Sequence, residues 1–265
     1  MRKGLHGVEL RRWRAGAWRD ARDVVIAETA IALSYNGVAH AVMMATPEDL
    51  EDYALGYSLH AGIVAAAHEL HFIDVETRDD GLILELAIPQ SRFDALASRT
   101  RRTPGNSACG LCGSEALIEA LPRPPQVRAG AFDPALAARA LERFAGLQTL
   151  NAASGGAHAA AWCLGDEIRL LREDVGRHNA FDKLGGAMAR SGVDARTGYA
   201  LVSSRASYEL VHKAAMAGIG TLVAMSAPTS AAVAGANRCG LRLIGFARDG
   251  AMNVYTRTET AEYEP

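Results

Sequence analysis

The chain has 265 residues and a formal net charge of −2, with 49% hydrophobic and 22% charged residues. These values are ordinary for a soluble globular protein and give no overall bias toward nucleic acid or a membrane. No stretch approaches the ~20 apolar residues of a membrane span, and no apolar core of a secretory signal follows the basic N-terminus. We therefore expect a cytoplasmic protein of one large or two smaller domains, with reduced cysteines.

Turn and capping signals divide the first half of the chain into strands and helices. Asn36 followed by Gly37 predicts a hairpin turn between two strand-like runs. Residues 46–49 predict the start of a helix, with Thr46 as its cap and a proline at its first position. The alternating stretch 81–89 predicts a strand, and 91–100 predicts a helix that leads into a cysteine-containing segment.

The second half of the chain alternates between strands and helices. Prolines between 122 and 125 predict a linker, and Asp133-Pro134 opens a helix that ends near Gly146. Three strands are then predicted, with a helix between each pair: strands 199–203, 221–226 and 241–246, helices 207–218 and 229–240. This order predicts right-handed crossovers and a parallel sheet covered by helices.

The ends of these predicted strands favour a ligand pocket, since ligands bind beyond the carboxyl ends of parallel strands. Two of the ends precede helices, whose N-terminal N–H groups suit phosphate. Arg205 and Arg248 are suited to phosphates, and Asp249 to a base or ribose. Helix capping or a solvated surface explains any one of these segments. Their coincidence favours a nucleotide or another phosphorylated ligand.

Two upstream stretches are expected to join this pocket. Gly155 and Gly156 precede His158, and paired glycines permit close backbone approach to a ligand. Residues 173–179 place a glycine among many polar groups, which is typical of a binding turn. Its candidate residues are Arg177, His178 and Asn179, although a lone histidine is more often structural. A solvated helix face is expected for Asp182 and Lys183.

The stretch SACGLCG contains Cys109 and Cys112, each followed by glycine. Two thiols at this spacing could hold a metal, form a redox disulfide or carry a sulfur atom. Glycines allow the loop to approach its partners, and the arginines before it favour a thiolate. The other two cysteines, Cys163 and Cys239, lie in apolar surroundings and are expected to be buried.

Competing chemistries for the pair are weaker. A structural zinc site needs four ligands, and a second cysteine pair is missing. A thioredoxin-type redox site stays open, although Gly110 and Leu111 between the cysteines are not typical of one. A zinc deaminase needs a His-x-Glu sequence, which occurs nowhere in the chain.

Five segments, in this order, resemble the formate dehydrogenase accessory sulfurtransferase (FdhD) family: CGLCG, SGGAHAA, EDVGRHNAFDK, SSRASYELVHKAAMAGI and LIGFARDGAMNVYT. The resemblance covers residues 24–256. It implies an α/β fold in which 126–265 form a cytidine-deaminase-like, cofactor-binding main domain with a mixed or parallel sheet flanked by helices. Residues 24–125 would form a smaller α+β region ending in the CxxC loop. Residues 1–23 are left as an N-terminal extension that we expect to be flexible.

The family implies a sulfur carrier, active as a homodimer without nucleic acid or membrane partners. Such a protein takes sulfur from a cysteine desulfurase as a cysteine persulfide. It passes the sulfur to the molybdenum (or tungsten) bis-molybdopterin guanine dinucleotide cofactor before that cofactor enters the catalytic subunit of formate dehydrogenase. The cofactor is cargo, so GDP-like groups are expected in the pocket, and no metal site is expected on the protein itself.

The resemblance assigns the persulfide to Cys109, with Cys112 as its partner. It assigns cofactor contact first to the last matching segment: Phe246, Ala247, Arg248, Asp249, Gly250 and Ala251. The looser cofactor candidates are Gly155, Gly156, His158, Arg177, His178, Asn179, Ser203 and Arg205.

Three positions depart from the family pattern. Ser204 replaces a glycine and Ser154 a threonine, which are small polar changes. Ala61 replaces a glutamate, so any role of that carboxylate is lost here. Two other functions stay open: a cofactor-binding chaperone whose cysteines only dock the desulfurase, and a thioredoxin-like CxxC redox protein.

Overall fold

The computed structural model describes residues 2–102 and 123–256. Its strands are β1 (Leu5–Arg14), β2 (Ala17–Ile26), β3 (Thr29–Tyr35), β4 (Val38–Ala45), β5 (Phe72–Arg78), β6 (Gly81–Ala87), β7 (His158–Leu164), β8 (Glu167–Asp174), β9 (Tyr199–Val202), β10 (Thr221–Ala224), β11 (Arg242–Arg248) and β12 (Ala251–Val254). Its helices are α1 (Leu50–His60), α2 (Gln90–Arg102), α3 (Pro134–Leu147), α4 (Thr149–Ser154), α5 (Arg177–Arg190), α6 (Tyr208–Met216) and α7 (Ser230–Cys239), with a 3₁₀ turn at Ala67–Glu69.

The C-terminal region is built on a six-stranded sheet in the order β12-β11-β10-β9-β7-β8. Strands β9, β10 and β11 are parallel, whereas β7, β8 and β12 pair antiparallel. The three predicted strands and the two helices between them are confirmed. Helix α3 covers one face of the sheet, with Phe144 packed in the same core as Val223. Helices α5, α6 and α7 cover the other face, where Phe181 and Leu222 are buried together.

The N-terminal region contains a mixed four-stranded sheet in the order β4-β3-β6-β5, with its core on Leu33, Tyr53 and Leu84. The predicted turn is confirmed, because Asn36 (φ 48°) and Gly37 (φ 81°) join β3 to β4 in the left-handed conformation that such turns require. The predicted strand β6 and helix α2 are confirmed as well.

The prediction that Thr46 caps α1 is wrong. The helix begins at Leu50, after a left-handed Asp49 that makes no capping hydrogen bond. The Thr46 hydroxyl instead accepts a hydrogen bond from the Val175 amide at 3.1 Å. A contact between regions 129 positions apart has replaced the local cap.

The prediction of a solvated helix face at Asp182 and Lys183 is also wrong, because both side chains are buried. They lie on α5, which packs so closely on α1 that the two backbones are in contact. A Cβ at Gly56 of α1 would collide with the Asp182 carbonyl, and one at Gly186 would collide with the Asp52 carbonyl. The glycines of the two helices therefore permit the close approach that encloses Asp182.

The N-terminal residues form a hairpin in which β1 pairs with β2 along its full length. Ala15 and Gly16, both at positive φ, make the turn. The base is fastened by Glu48, which accepts from the Arg2 side chain at 2.9 Å and from the Gly4 amide at 2.8 Å. The N-terminal extension that we expected to be flexible thus forms a regular two-stranded ribbon.

Cys163 and Cys239 are both buried, which confirms their prediction. Cys109 and Cys112 lie outside the described residues. Within residues 2–102 and 123–256, no helix is long and apolar enough to cross a membrane.

Candidate functional site

The predicted pocket corresponds to one edge of the six-stranded sheet, which we call the strand-end edge. Strand β7 runs antiparallel to β9 with Ala160 opposite Val202, so β7 starts where β9 ends. His158 lies opposite Asp174, so β8 ends there too. Strands β10 and β11 run parallel to β9 and end on the same side. The edge therefore gathers the predicted cofactor residues: Gly155, Gly156, His158, Arg177, His178, Asn179, Ser203, Arg205, and 246–251. Their role in binding stays a prediction.

Ser203 joins two of the strands at this edge. Its hydroxyl accepts from the Ala159 amide at 2.9 Å, and its own amide donates to the Ala159 carbonyl at 3.0 Å. The Arg205 side chain, two residues further on, is exposed, and its guanidinium makes no ion pair or hydrogen bond with any described residue. Ser203 is therefore occupied by the fold, whereas Arg205 is available to a ligand.

Arg177 begins α5 at the strand-end edge. Its Nε is buried and lacks a hydrogen-bond partner among the described residues. A buried donor without a partner costs about 1–3 kcal/mol, which a bound acceptor would recover. Among the predicted residues, Arg177 is thus the one whose unmet donor argues most directly for an anion.

His178 is half-buried and faces the start of α6. Its Nε2 lies 2.7 Å from a carboxylate oxygen of Glu209 and 3.4 Å from the Ser207 hydroxyl. Burial lowers the His178 pKa; Glu209 acts to raise it, and Arg177 lowers it further. Burial also lowers the pKa of His158, again assisted by Arg177. The net effect keeps both imidazoles more neutral than a free histidine, so the edge's fixed positive charge comes from arginine.

Glu173 shapes the glycine loop from behind. Its carboxylate accepts from the Leu150 amide at 2.9 Å and from the Asn151 amide at 2.8 Å, which caps the N-terminus of α4. Helix α4 then ends at Gly155, whose φ is 68°. Glu173 therefore fixes the helix that delivers the glycine pair to the edge.

Asp174 is completely enclosed and accepts four hydrogen bonds. The donors are the Thr46 amide (2.9 Å), the Gly176 amide (2.8 Å), Asn179 Nδ2 (3.0 Å) and the Lys183 ammonium (2.6 Å). These contacts hold the turn that presents Arg177. They also attach that turn to the N-terminal region, since Thr46 follows β4.

Asn179 is buried, and its amide is used inside the protein. Nδ2 donates to the Met44 carbonyl at 2.8 Å as well as to Asp174. Gly176 has no room for a side chain, because a Cβ there would lie 2.9 Å from that same Nδ2. The glycine among polar groups, interpreted as a binding turn, is accounted for by this packing.

Residues 246–251 form the far end of the strand-end edge. Phe246 has φ 51° and is 38% exposed, and the pairing of β11 with β12 shifts register between Gly245 and Arg248. The Arg248 guanidinium lies 6.0 Å from the Phe246 ring centroid. A left-handed aromatic residue costs ~1–3 kcal/mol, and such strain concentrates at functional sites.

The turn after Phe246 also lines a cavity of about 280 Å³ on the α3 side of the sheet. The α5 side carries Arg177. Strands β8 and β11 are four places apart in the sheet, about 19 Å at ~4.8 Å per strand. The predicted residues consequently make an extended rim and not one compact cavity.

A family model described as the FdhD/NarQ family matches residues 26–262. The chain belongs to the FdhD/NarQ family. It is 48% identical over 252 residues to a protein named Sulfur carrier protein FdhD from Xanthomonas euvesicatoria pv. vesicatoria, covering 94% of this chain and 90% of that relative. It is 46% identical over 255 residues to a protein of the same name from Cupriavidus necator, covering 96% and 88%.

The fold is also known from a solved structure. A crystal structure described as that of a formate dehydrogenase accessory protein from Desulfotalea psychrophila superposes with a TM-score of 0.70 at 20% identity, covering 96% of this chain and 98% of that one. This likeness supports the mixed α/β architecture with helices flanking the sheets.

Sequence reasoning missed Glu209, the partner of His178 at the strand-end edge. It lies in the first turn of α6, where Ser207 caps the helix by accepting from the Leu210 amide. An acid in the first turn of a helix that follows a strand end was the available signal. Its pairing with His178 depends on the packing of α6 against α5, which no local pattern encodes.

Proposed function

We propose that this chain is a sulfur carrier that receives sulfur from a cysteine desulfurase on Cys109 and transfers it to a molybdenum (or tungsten) bis-molybdopterin guanine dinucleotide cofactor bound for formate dehydrogenase. The observation that carries the proposal is a CxxC pair in a chain 48% identical, over 94% of its length, to a protein named a sulfur carrier. The family membership and the arginines of the strand-end edge support it.

The transfer is thiol–persulfide exchange. The Cys109 thiolate attacks the outer sulfur of a persulfide on the desulfurase, the S–S bond to the desulfurase cysteine breaks, and that cysteine leaves as a thiolate. One sulfur moves and no net oxidation occurs. In a second exchange the Cys112 thiolate would attack the inner sulfur of the Cys109 persulfide, so that the outer sulfur leaves as hydrosulfide and a Cys109–Cys112 disulfide remains, which an external thiol must reduce.

The strand-end edge suits the cofactor as cargo. Arg177, Arg205 and Arg248 lie along a rim about 19 Å long, a span that accommodates phosphates some distance apart. Their guanidinium groups are suited to bidentate phosphate contact. The exposed Phe246 ring offers a flat surface for a base. A GDP-like group is therefore the smallest ligand expected to bind here.

Three finer features belong to the same proposal. The main domain, residues 126–265, has the cytidine-deaminase-like fold. Its mixed sheet with three parallel strands and helices on both faces supports this hypothesis. The protein acts as a homodimer in the cytoplasm. Formate dehydrogenase, which receives the sulfurated cofactor, is its client.

The first test is intact mass spectrometry after incubation with a cysteine desulfurase and cysteine. Wild type should gain ~32 Da per sulfur in a form that reductant removes, and Cys109→Ala should not. Loss of the gain only in Cys112→Ala would exchange the roles of the two cysteines. No gain on wild type with an active desulfurase would contradict the carrier function and favour the cofactor-binding chaperone, whose support is the arginine rim.

A further inference from the structure

The N-terminal hairpin projects from the protein as a two-stranded ribbon. Each strand has ten residues, about 33 Å at ~3.3 Å per residue. Every residue between Leu5 and Ile26 is at least partly exposed. The match to the family model begins at residue 26, the last residue of the ribbon. An isolated two-stranded hairpin is only marginally stable in water, which favours a role in which the ribbon contacts another molecule.

The tip of the ribbon has two different faces. Cross-strand pairing places Trp13 opposite Trp18, with ring centroids 5.4 Å apart and exposures of 57% and 55%. Because successive pairs alternate between faces, Arg12, Arg14 and Arg19 share the opposite face. Paired tryptophans on one side and clustered arginines on the other are residue types enriched at the centres of protein interfaces.

The charges at the tip are not balanced within the chain. Residues 11–19 contain four arginines and no acid. Arg12 lies directly opposite Arg19, a like-charge pairing that destabilises a hairpin. Arg11 lies 3.8 Å from Asp20 and Arg12 lies 2.9 Å from Asp23, but Arg14 and Arg19 make no ion pair with any described residue. The cluster therefore lowers the stability of the free ribbon and is complementary to an acidic surface.

The ribbon starts at the candidate site. A Cβ at Gly156 would lie 3.0 Å from Cγ2 of Ile26, so the base of β2 abuts the glycine loop of the strand-end edge. A protein held by the tip would be tethered within about 33 Å of that edge.

We propose that the hairpin tip docks on an acidic surface, with a recess for the tryptophan pair, of the client protein that takes the cofactor from the strand-end edge. This inference rests on the proposed function, because the client is defined by it. The hairpin carries five arginines and three acids, a net charge of +2, which leaves −4 on the remainder of a chain whose total is −2. That remainder repels an extended polyanion, which disfavours nucleic acid and an anionic membrane as the occupant.

The test compares wild type with the double variant Arg14→Glu/Arg19→Glu in binding to the apo catalytic subunit of formate dehydrogenase. Arg19→Glu places a carboxylate opposite Arg12 and so strengthens the hairpin instead of unfolding it. The matched control is Arg14→Lys/Arg19→Lys, which keeps the charge. We expect the Kd to rise about tenfold or more in the glutamate variant and to change less than about threefold in the lysine variant. The Kd of the glutamate variant should also depend less on salt concentration than that of wild type. A Trp13→Thr/Trp18→Thr variant should also bind more weakly.

Sulfur loading by the desulfurase distinguishes failure of the proposed function from failure of the docking proposal. If wild type gains no sulfur, the proposed function fails, whatever the hairpin does. If wild type loads normally and the glutamate variant binds and activates the client as wild type does, the docking proposal is overturned. It is equally overturned if the glutamate substitutions weaken binding to the desulfurase, to labelled duplex DNA or to phosphatidylglycerol vesicles while client binding is unchanged.

Discussion

Two polar regions of the chain, the interface between α1 and α5 and the strand-end edge, look alike in sequence but differ in how their charges are satisfied. At the interface, the buried Lys183 ammonium has three acceptors: Asp174 at 2.6 Å, the Thr46 carbonyl at 2.9 Å and the Glu173 carbonyl at 3.4 Å. At the edge, Arg205 is exposed and has no acceptor among the described residues, and Arg177 retains a buried donor without one.

The difference separates two roles that the motif EDVGRHNAFDK combines. Its first two and last two residues are enclosed. Asp174, Asp182 and Lys183 bond to the N-terminal region, whereas Glu173 caps α4. The central Arg177 and His178 of the motif lie on the rim. Density of polar residues therefore does not by itself mark a binding site, whereas arginine guanidinium groups without an acceptor at the strand-end edge favour one.

The largest effect is expected from breaking the interface. Lys183→Met leaves the Asp174 carboxylate buried without its ammonium, which should lower the free energy of unfolding by about 3–5 kcal/mol. Urea denaturation measures this loss. Arg205→Met is the matched control and should change stability by less than about 0.5 kcal/mol. Equal effects of the two substitutions would abolish the distinction between the regions.

Substitutions at the strand-end edge should instead affect ligand binding and leave stability unchanged. Arg205→Ala should weaken GDP binding by about tenfold or more, because a hydrogen bond to a charged group is worth about 1.5–3 kcal/mol. Titration calorimetry measures the affinity. Arg169→Ala on β8, whose guanidinium pairs with Glu167 at 2.8 Å, is the control and should leave binding unchanged. Unaltered GDP affinity in Arg205→Ala would remove this residue from the site.

A third prediction concerns pH and the interface histidine. His60 donates from Nδ1 to Asp182 at 2.7 Å, and its Nε2 is buried without a partner among the described residues. Burial lowers the His60 pKa more than Asp182 raises it. The unfolded chain, with a histidine pKa of about 6.5, then binds more protons than the folded protein below that pH.

Stability should accordingly fall as pH drops below about 6.5, by at most about 1.4 kcal/mol per pH unit for this one group. His60→Gln keeps an amide donor for Asp182 but does not titrate, so its stability should depend less on pH over the same range. Denaturation midpoints of the two proteins between pH 7 and pH 5 provide the comparison. Parallel pH curves would show that His60 does not carry this dependence.

The smallest effect is expected in the hairpin, which has no enclosed charges. Ala15 has φ 51°, a left-handed conformation that alanine adopts with strain and asparagine tolerates. Ala15→Asn should raise stability by a few tenths of a kcal/mol, seen as a slightly higher thermal midpoint. Ala17→Asn, in a regular strand position of the same ribbon, should give no such gain.

Local signals in the sequence determined much of the C-terminal fold. The order of strands and helices from Tyr199 to Arg248, the Asn36–Gly37 turn, the capping of α3 by Asp133 and the burial of Cys163 and Cys239 all followed from neighbouring residues. The family resemblance and the strand-end edge followed as well, because parallel strands joined by helices must end on one side.

Tertiary structure alone decided which polar residues face outward. Thr46 meets Asp174 across 128 positions, and Asp182 is enclosed only because glycines let α1 and α5 approach. Strands β7 and β8 and the N-terminal ribbon were also missed. Pairing between distant segments sets the burial of a charge, and burial sets whether its partner is the protein or a ligand, so periodicity and capping patterns could not reveal either.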